Sequence, residues 1–159
     1  MNSIMQEYYP VFELYQGLRN QLMDVLSDQD LHFRPDEKNL PLGILCREIG
    51  ETQQAYIDSF KSFELTFDYR NMEEGIATSV ERLSAWYATL DQALREAVAG
   101  LSEEQIQGQL IDRGGDFQVP PLINLDIYKE ALIIFYGKAS IYLQALEKLP
   151  SQRWRHWIG

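Results

Sequence analysis

The residue types that most often carry out chemistry in proteins are scarce in this sequence. It has two histidines, His32 and His156, and one cysteine, Cys46. Neither histidine follows a glutamate by three residues, so the Glu-x-x-His pattern of di-iron helical bundles is absent. The His-x3-His pair of a helical zinc site, the phosphate-binding glycine motifs and the Gly-x-Ser-x-Gly motif of hydrolases are also missing. The residue types alone therefore do not name a reaction.

The charge balance excludes one class of partner. The chain has 24 acidic residues against 14 Lys and Arg, a net charge of −10. Such a chain repels phosphate backbones, and its densest basic cluster, at Arg153, Arg155 and His156, is too small to offset this, so we expect no nucleic-acid partner. No apolar run approaches the roughly 18 residues of a membrane helix, and the first residues lack signal-peptide features. We expect a cytoplasmic protein with no membrane partner.

Four segments repeat apolar residues every three or four positions, which is typical of amphipathic helices. The first follows Pro10 and the second opens near Pro41, because proline suits the first turn of a helix. The predicted inner faces of these two helices are Val11, Leu14, Leu18, Leu22 and Val25, then Leu42, Leu45, Ile49, Thr52, Tyr56 and Phe60. The third segment has a regular 4-3 spacing, at Ile76, Val80, Leu83, Tyr87, Leu90, Leu94 and Ala97.

The fourth segment runs from about Leu122 or Asn124 to Lys148 and is apolar around much of its circumference. This predicts that it is the most buried helix. Between the third and fourth helices we predict a short helical turn at residues 102–105 and a tight turn at 113–116. Residues 63–69 alternate in polarity but have no evident partner strand, so we predict an extended crossover. The fold class is all-α, a four-helix bundle in a single domain over residues 1–159.

Two stretches resemble motifs of the DinB/YfiT-like family. Residues 32–35 (HFRP) and 42–52 (LGILCREIGET) are similar to the family's aromatic-Arg/Lys-Pro element and the Leu-x-x-His-Ile/Leu helix that follows it. Residues 135–143 (FYGKASIYL) are similar to its His-Arg/Lys-Gly-Gln/Asn-Leu-x-x-Tyr-Leu segment. The resemblance covers nearly the whole chain and implies an up-down-down-up bundle. In metal-bearing relatives, which include thiol-dependent S-transferases and an isomerase, it implies one metal ion held by three histidines.

Carried over position by position, the three metal ligands of the family become Glu48, Ala131 and Phe135 in this chain. Alanine has no donor atom, and a phenyl ring fills the volume of an imidazole. The remaining carboxylate does not hold a transition metal against water. We therefore expect no metal and no cofactor, and a candidate pocket formed by Glu48, Thr52, Tyr128, Phe135 and Lys138.

Three functions remain open at this point. The leading interpretation is a non-catalytic, metal-free DinB-like protein that binds a small ligand or a partner protein through the remnant pocket. The first alternative is an S-transferase-type enzyme in which Glu48, as a buried acid with a raised pKa, is the general base without a metal. The second alternative is a structural or oligomeric module. Glu48 is also compatible with a solvated place at the bundle edge, and Cys46 with a small buried hydrophobe.

Aromatic residues are abundant, with three Trp, nine Tyr and seven Phe. We expect the tail that carries Trp154 and Trp157 to pack on the bundle or on a second subunit, and we expect a homodimer. Lys138 lies three residues after Phe135, on nearly the same helical face. If Glu48 turns inward, we expect an ion pair with Lys138, made directly or through water, to compensate its charge.

The side chains at the three metal-ligand positions, Glu48, Ala131 and Phe135, lead to a test of metal content. We expect untagged purified protein to contain no stoichiometric transition metal by elemental analysis and to show no metal-dependent thiol transfer. Introducing Glu48→His, Ala131→His and Phe135→His together should create zinc or nickel affinity that the parent lacks. Removing Phe135 costs roughly 2–4 kcal/mol of packing, so folding of the triple variant is checked first. About one bound transition metal per parent chain would refute the expectation.

Overall fold

A computed structural model describes residues 1–159 and is built around four long helices. The helices are α1 (Tyr9–Val25), α2 (Leu42–Ser62), α3 (Val80–Ala99), the short α4 (Glu103–Gly108), α5 (Pro121–Ala145) and the short α6 (Gln152–Trp157). Short π and 3₁₀ turns occupy Ile4–Tyr8, Gln29–His32 and Ile76–Thr78, and the strands β1 (Ile111–Asp112) and β2 (Gln118–Val119) form an antiparallel pair. α2 packs against α3 and α5, and α1 packs against α5 and α3, around one hydrophobic core. The predicted all-α four-helix bundle is confirmed.

Local capping signals set several helix boundaries. The Ser79 side chain accepts a hydrogen bond from the Arg82 amide at the start of α3, and Gly100 follows its last residue. Ser102 and Gln105 form a reciprocal capping box that starts α4, which confirms the predicted helical turn. α5 begins at Pro121, one residue before the earlier of the two predicted starts, Leu122 and Asn124. These boundaries follow from residues that contact only their near neighbours in sequence.

The predicted inner face of α1 is wrong in its first half. Val11 is 51% exposed and Leu14 is also exposed, whereas Tyr9, Phe12 and Arg19 are buried. The helical chain also begins before Pro10, because the π turn at Ile4–Tyr8 leads directly into α1. Two faces of α1 have apolar residues at 3-4 spacing. The face with the aromatic rings of Tyr9 and Phe12 fills the space between α5 and α3.

α5 is not the most buried helix, contrary to the prediction. α2 buries 12 of its 21 residues, and α5 buries 11 of its 25. Ile133, Ile134 and Ile141 of α5 are exposed, because a helix at the perimeter of a bundle turns only one face to the core. Its inner face consists of Leu125, Tyr128, Leu132, Tyr136, Ala139 and Leu143. The outer face of α5 is therefore an apolar surface that the chain itself leaves uncovered.

The extended segment after α2 has a partner, contrary to the prediction of an isolated crossover. The Leu65 amide donates to the Asp112 carbonyl oxygen at 2.8 Å, and the Asp112 amide donates to the Phe63 carbonyl oxygen at 2.9 Å. Asp112 belongs to the β1–β2 hairpin, whose turn contains Gly114 and Gly115 at positive φ, as the predicted tight turn at 113–116 requires. The pairing joins segments distant in sequence, so local alternation could not reveal it.

The C-terminal tail packs on the bundle of its own chain through Trp154. This indole is fully buried, its Nε1 donates to the Ser140 hydroxyl at 2.8 Å, and its ring lies 4.9 Å from the Tyr136 ring. Trp157 lies beside Tyr15 with a ring separation of 4.9 Å and stays partly exposed. The expectation that the tail packs on the bundle is met by Trp154.

Gly43 sits where α2 begins against the turn at Ile76–Thr78. A Cβ atom at this position would lie 1.8 Å from the Ala77 carbonyl oxygen, which is backbone and cannot rotate away. We expect Gly43→Ala to lower the free energy of unfolding by about 1–3 kcal/mol in urea denaturation.

Gly17 is the matched control, because a Cβ atom there would meet nothing within 4 Å. Gly17→Ala should raise the free energy of unfolding by about 0.5–1 kcal/mol, since glycine in a helix interior is unfavourable relative to alanine. Equal stability of the two variants would contradict the close contact at Gly43.

Candidate ligand site

Four of the five residues predicted to form a pocket lie around one cavity between α2 and α5. The cavity has a volume of about 240 Å³. Its lining consists of Leu45, Glu48, Ile49 and Thr52 from α2, and Ala131, Ile134, Phe135 and Lys138 from α5. Residues three and four apart share one face of a helix, and this spacing holds on both walls. The structure thus brings together Glu48, Thr52, Phe135 and Lys138.

The cavity has an apolar floor and a polar rim. Ile49 and Phe135 are buried, and Leu45 and Ala131 are half-buried, so carbon atoms dominate the interior. Glu48 and Lys138 are exposed, and Thr52 is half-buried. The cavity wall therefore carries a carboxylate, an ammonium and a hydroxyl beside its apolar residues.

The direct form of the ion pair predicted between Glu48 and Lys138 is absent. The two charged groups form no ion pair with one another or with a third residue. Both side chains are exposed, so water solvates each charge and a surface pair would add little. The metal-independent enzyme hypothesis required Glu48 to be a buried acid, and its exposure contradicts that requirement. In the structure, Glu48 lies solvated at the edge of the bundle.

Tyr128, the fifth predicted pocket residue, does not line the cavity. It lies fully buried in the core, with its ring 5.0 Å from that of Tyr56 and 5.8 Å from that of Phe12. Burial raises the pKa of the Tyr128 hydroxyl above its ordinary value. Tyr128 is two helical turns before Phe135, and at that level aromatic rings from α1 and α2 fill the space between the helices.

The residues at the family's metal-ligand positions do not fit a transition metal. Glu48, Ala131 and Phe135 all line the cavity, so the three positions do share one site. Their side chains supply one exposed carboxylate, one methyl group and one phenyl ring, whereas a catalytic zinc needs about three nitrogen, sulfur or oxygen donors. No group of three His, Cys, Asp or Glu side chains in the chain is placed to hold a metal ion.

Cys46 is a buried structural residue, as predicted. Its side chain is inaccessible, and burial raises the pKa of the thiol to about 12. A thiol with that pKa is protonated at neutral pH and is a poor nucleophile. The Tyr87 hydroxyl donates to the Cys46 carbonyl oxygen at 2.6 Å, which joins α3 to α2 at this level. Cys46 therefore contributes packing rather than chemistry.

A buried polar centre that the sequence did not reveal lies on the other side of α2. Arg19 of α1 is fully buried, and its Nη2 lies 2.5 Å from the Asp91 carboxylate of α3. Its Nη1 donates to the Gln53 side-chain oxygen of α2, and the Gln53 amide donates to Asp91 at 3.0 Å. The guanidinium carbon lies 3.8 Å from the centre of the Tyr87 ring. Three helices thus meet at one charge.

Arg19 remains charged in this environment. Burial alone would lower its pKa, but the nearby Tyr128 and Asp91 reverse the effect and raise the pKa above its ordinary value. An arginine in an amphipathic helix is normally read as a surface residue. The signal that could have identified it is spacing, because Phe12 and Arg19 lie seven residues apart on one helical face.

Four long helices pack around one hydrophobic core. This fold is similar to that of the DinB-like protein YjoA of Bacillus subtilis, and is DinB-like in that sense. Its crystal structure matches with a TM-score of 0.67 over 86% of this chain and 89% of that chain. The sequence identity is 17%, so the likeness establishes the fold.

Sequence comparison adds one distant relative. The chain is 25% identical over 147 residues, 91% of its length, to an uncharacterized transmembrane protein of Dictyostelium discoideum. It spans only 2% of the length of that relative. No protein-family model matches the chain. None of its helices combines the length and the apolar composition that crossing a bilayer requires.

The buried polar centre leads to a stability test. Arg19→Leu removes the counter-charge of Asp91 and the donor to the Gln53 side-chain oxygen, and we expect it to lower the free energy of unfolding by about 3–5 kcal/mol. The control is Arg95→Leu, which removes an exposed ion pair with Glu13 and should cost about 0–1 kcal/mol. The free energy of unfolding of both variants is measured by urea denaturation. Similar losses in the two variants would contradict a special role for Arg19.

Proposed function

We propose that this DinB-like protein is non-catalytic and metal-free and binds a small ligand in the cavity between α2 and α5. The observation that carries the proposal is a cavity of about 240 Å³ at the three positions that match the family's metal ligands. A mostly apolar interior with a few polar groups at the rim is the usual composition of a small-molecule site.

The size and lining of the cavity limit the ligand. Drug-sized sites have volumes of roughly 300–1,000 Å³, so this cavity suits a smaller molecule. The floor near Ile49 and Phe135 favours a short aliphatic chain or a single ring. At the rim, Glu48 can accept hydrogen bonds from a cationic group, and Lys138 can donate to an anionic one. A small molecule with an apolar body and one or two polar groups fits this combination.

The chemistry of the lining supports binding without turnover. Glu48 is the one carboxylate of the cavity wall, and no histidine or thiol contributes to that wall. Acid–base or nucleophilic catalysis usually needs two cooperating groups, one of which orients or activates the other. Glu48 has no hydrogen-bonded partner in such a role. The same wall that lacks catalytic groups still provides both apolar contact and polar recognition.

Ligand-observed NMR tests the proposal with a library of small amines, carboxylates and amino acids that carry aliphatic or phenyl bodies. We expect binders that also raise the melting temperature, by an amount that grows with the logarithm of the ligand concentration above Kd, because a ligand of the folded state stabilises it. Ala131→Leu should abolish binding by filling the cavity.

Ala88→Leu on the exposed face of α3 is the matched control and should leave binding unchanged. The proposal fails if the library yields no binder. It also fails if the Ala131→Leu variant binds the same compounds as the parent and the control.

A further inference from the structure

A second cavity lies between the ends of α2 and α3 and is called the α2–α3 cavity below. It has a volume of about 370 Å³, larger than that of the α2–α5 cavity, and the two share no lining residue. On α2, eight residues separate Thr52 of the first cavity from Phe60 of the second, about 12 Å along the helix axis. The function proposed for the α2–α5 cavity therefore does not involve the α2–α3 cavity.

The α2–α3 cavity has an apolar interior. Phe60 and Leu101 are buried, and Phe63, Ala93 and Ala97 are half-buried. These five residues are the hydrophobic part of its lining. The volume falls within the roughly 300–1,000 Å³ of small-molecule sites, which are mostly apolar with a few polar groups. Two phenyl rings in the lining favour a ligand with an aromatic body.

α2 and α3 run parallel, so both of their C-terminal ends lie at this cavity. At the start of α2, a Cβ atom on Gly43 would meet the Ala77 carbonyl oxygen just before α3. Further along both helices, the Gln53 amide donates to Asp91 at 3.0 Å. The last turns of both helices then line the cavity. Each C-terminal end carries about half a negative charge from aligned peptide dipoles, and an antiparallel neighbour would have offset it.

The charged side chains of the lining do not cancel this negative potential. Glu96 and Lys61 are the two charged residues there, and both are exposed. Neither forms an ion pair, and Glu96 accepts a hydrogen bond from the Gln92 amide at 2.6 Å. Lys61 is the basic residue in the last turn of α2, and the last turn of α3 has none. One ammonium is thus set against one carboxylate and two helix ends, and the sum is negative.

We propose that the α2–α3 cavity is a second ligand site and that it binds a small primary amine with an aromatic body. An ammonium group supplies three donors and a positive charge, which suit the Glu96 carboxylate and the carbonyl oxygens of helix C-terminal ends. The aromatic body packs against Phe60 and Phe63. The net charge of −10 also attracts a cationic ligand from solution. Each of the two cavities can bind its ligand without the other.

Three probes that share one body and differ in charge test the chemistry of the site. They are phenethylamine, 2-phenylethanol and 3-phenylpropionate, titrated at neutral pH into ¹⁵N-labelled protein. We expect saturable amide shifts with phenethylamine, concentrated at residues 60–63 and 93–101. The alcohol should bind about threefold or more weakly, and the carboxylate about tenfold or more weakly. Added salt should weaken binding of the amine and leave that of the alcohol unchanged.

A variant that fills the cavity tests the location. Ala97→Leu should abolish phenethylamine binding, because its side chain occupies the interior. Ala88→Leu on the exposed face of α3 is the matched control and should bind like the parent. Ala131→Leu fills the α2–α5 cavity and should also leave phenethylamine binding unchanged. Compounds lost in Ala131→Leu therefore report the first cavity, and compounds lost in Ala97→Leu report the second.

Charge variants at the rim give opposite signs. Glu96→Gln should weaken phenethylamine binding about two- to fivefold, and Lys61→Gln should strengthen it by a similar factor because a like charge is removed. Glu81→Gln, at the other end of α3, changes the net charge as Glu96→Gln does and should have no effect. All three positions are exposed, so these variants test the site even if Ala97→Leu does not fold.

Several outcomes would overturn the proposal. It is wrong if phenethylamine does not bind, if the three probes bind equally well, or if folded Ala97→Leu binds like the parent. It is also wrong if Lys61→Gln weakens binding. Loss of phenethylamine binding in Ala131→Leu would assign the amine to the α2–α5 cavity instead, which supports the proposed function and removes this second site.

Discussion

The fold depends on one buried charge. The Arg19 guanidinium has no access to water, and its polar partners, Gln53 and Asp91, come from α2 and α3. A buried ion without partners is far more costly than an unmade apolar contact, so the three helices are constrained to the register that brings these groups together. Apolar stripes alone tolerate sliding and rotation, whereas a charge with directional donors does not. We infer that this polar centre selects one arrangement of the bundle.

α2 connects the polar centre with the cavity. Thr52 and Gln53 are consecutive, and about 100° separates neighbouring side chains around a helix. Gln53 turns to Arg19 on one side, and Thr52 turns to α5 on the other. The contact of Arg19 with Gln53 and Asp91 thus holds α2 in place, and α2 forms one wall of the cavity. α5 forms the other wall. This separation lets the cavity lining vary without disturbing the contacts that hold the helices in register.

The DinB-like fold of this chain does not determine the chemistry of its cavity. The arrangement of helices matches that of YjoA at 17% identity, so packing positions tolerate wide substitution. The three positions that match the family's metal ligands still meet in one cavity, but only Glu48 has a donor atom there. A fold of this kind positions side chains without prescribing what they do. The chemistry available in this cavity is therefore set by its own lining residues and not by the fold.

The sequence by itself determined the features that depend on near neighbours along the chain. The 4-3 seam from Leu83 to Leu94 in α3 and the shared face of Glu48 and Thr52 follow from the helical period. The Ser102 capping box and the turn at 113–116 follow from local hydrogen bonds and glycines. The predicted ends of the seam differ, because Ile76 lies in a 3₁₀ turn before α3 and Val98, rather than Ala97, is buried. Only the tertiary structure decided which of two equally spaced faces of α1 turns inward, that Arg19 is buried, that Tyr128 lies in the core, and that Leu65 pairs with Asp112. Each of these depends on groups from distant segments, whose proximity no local period encodes.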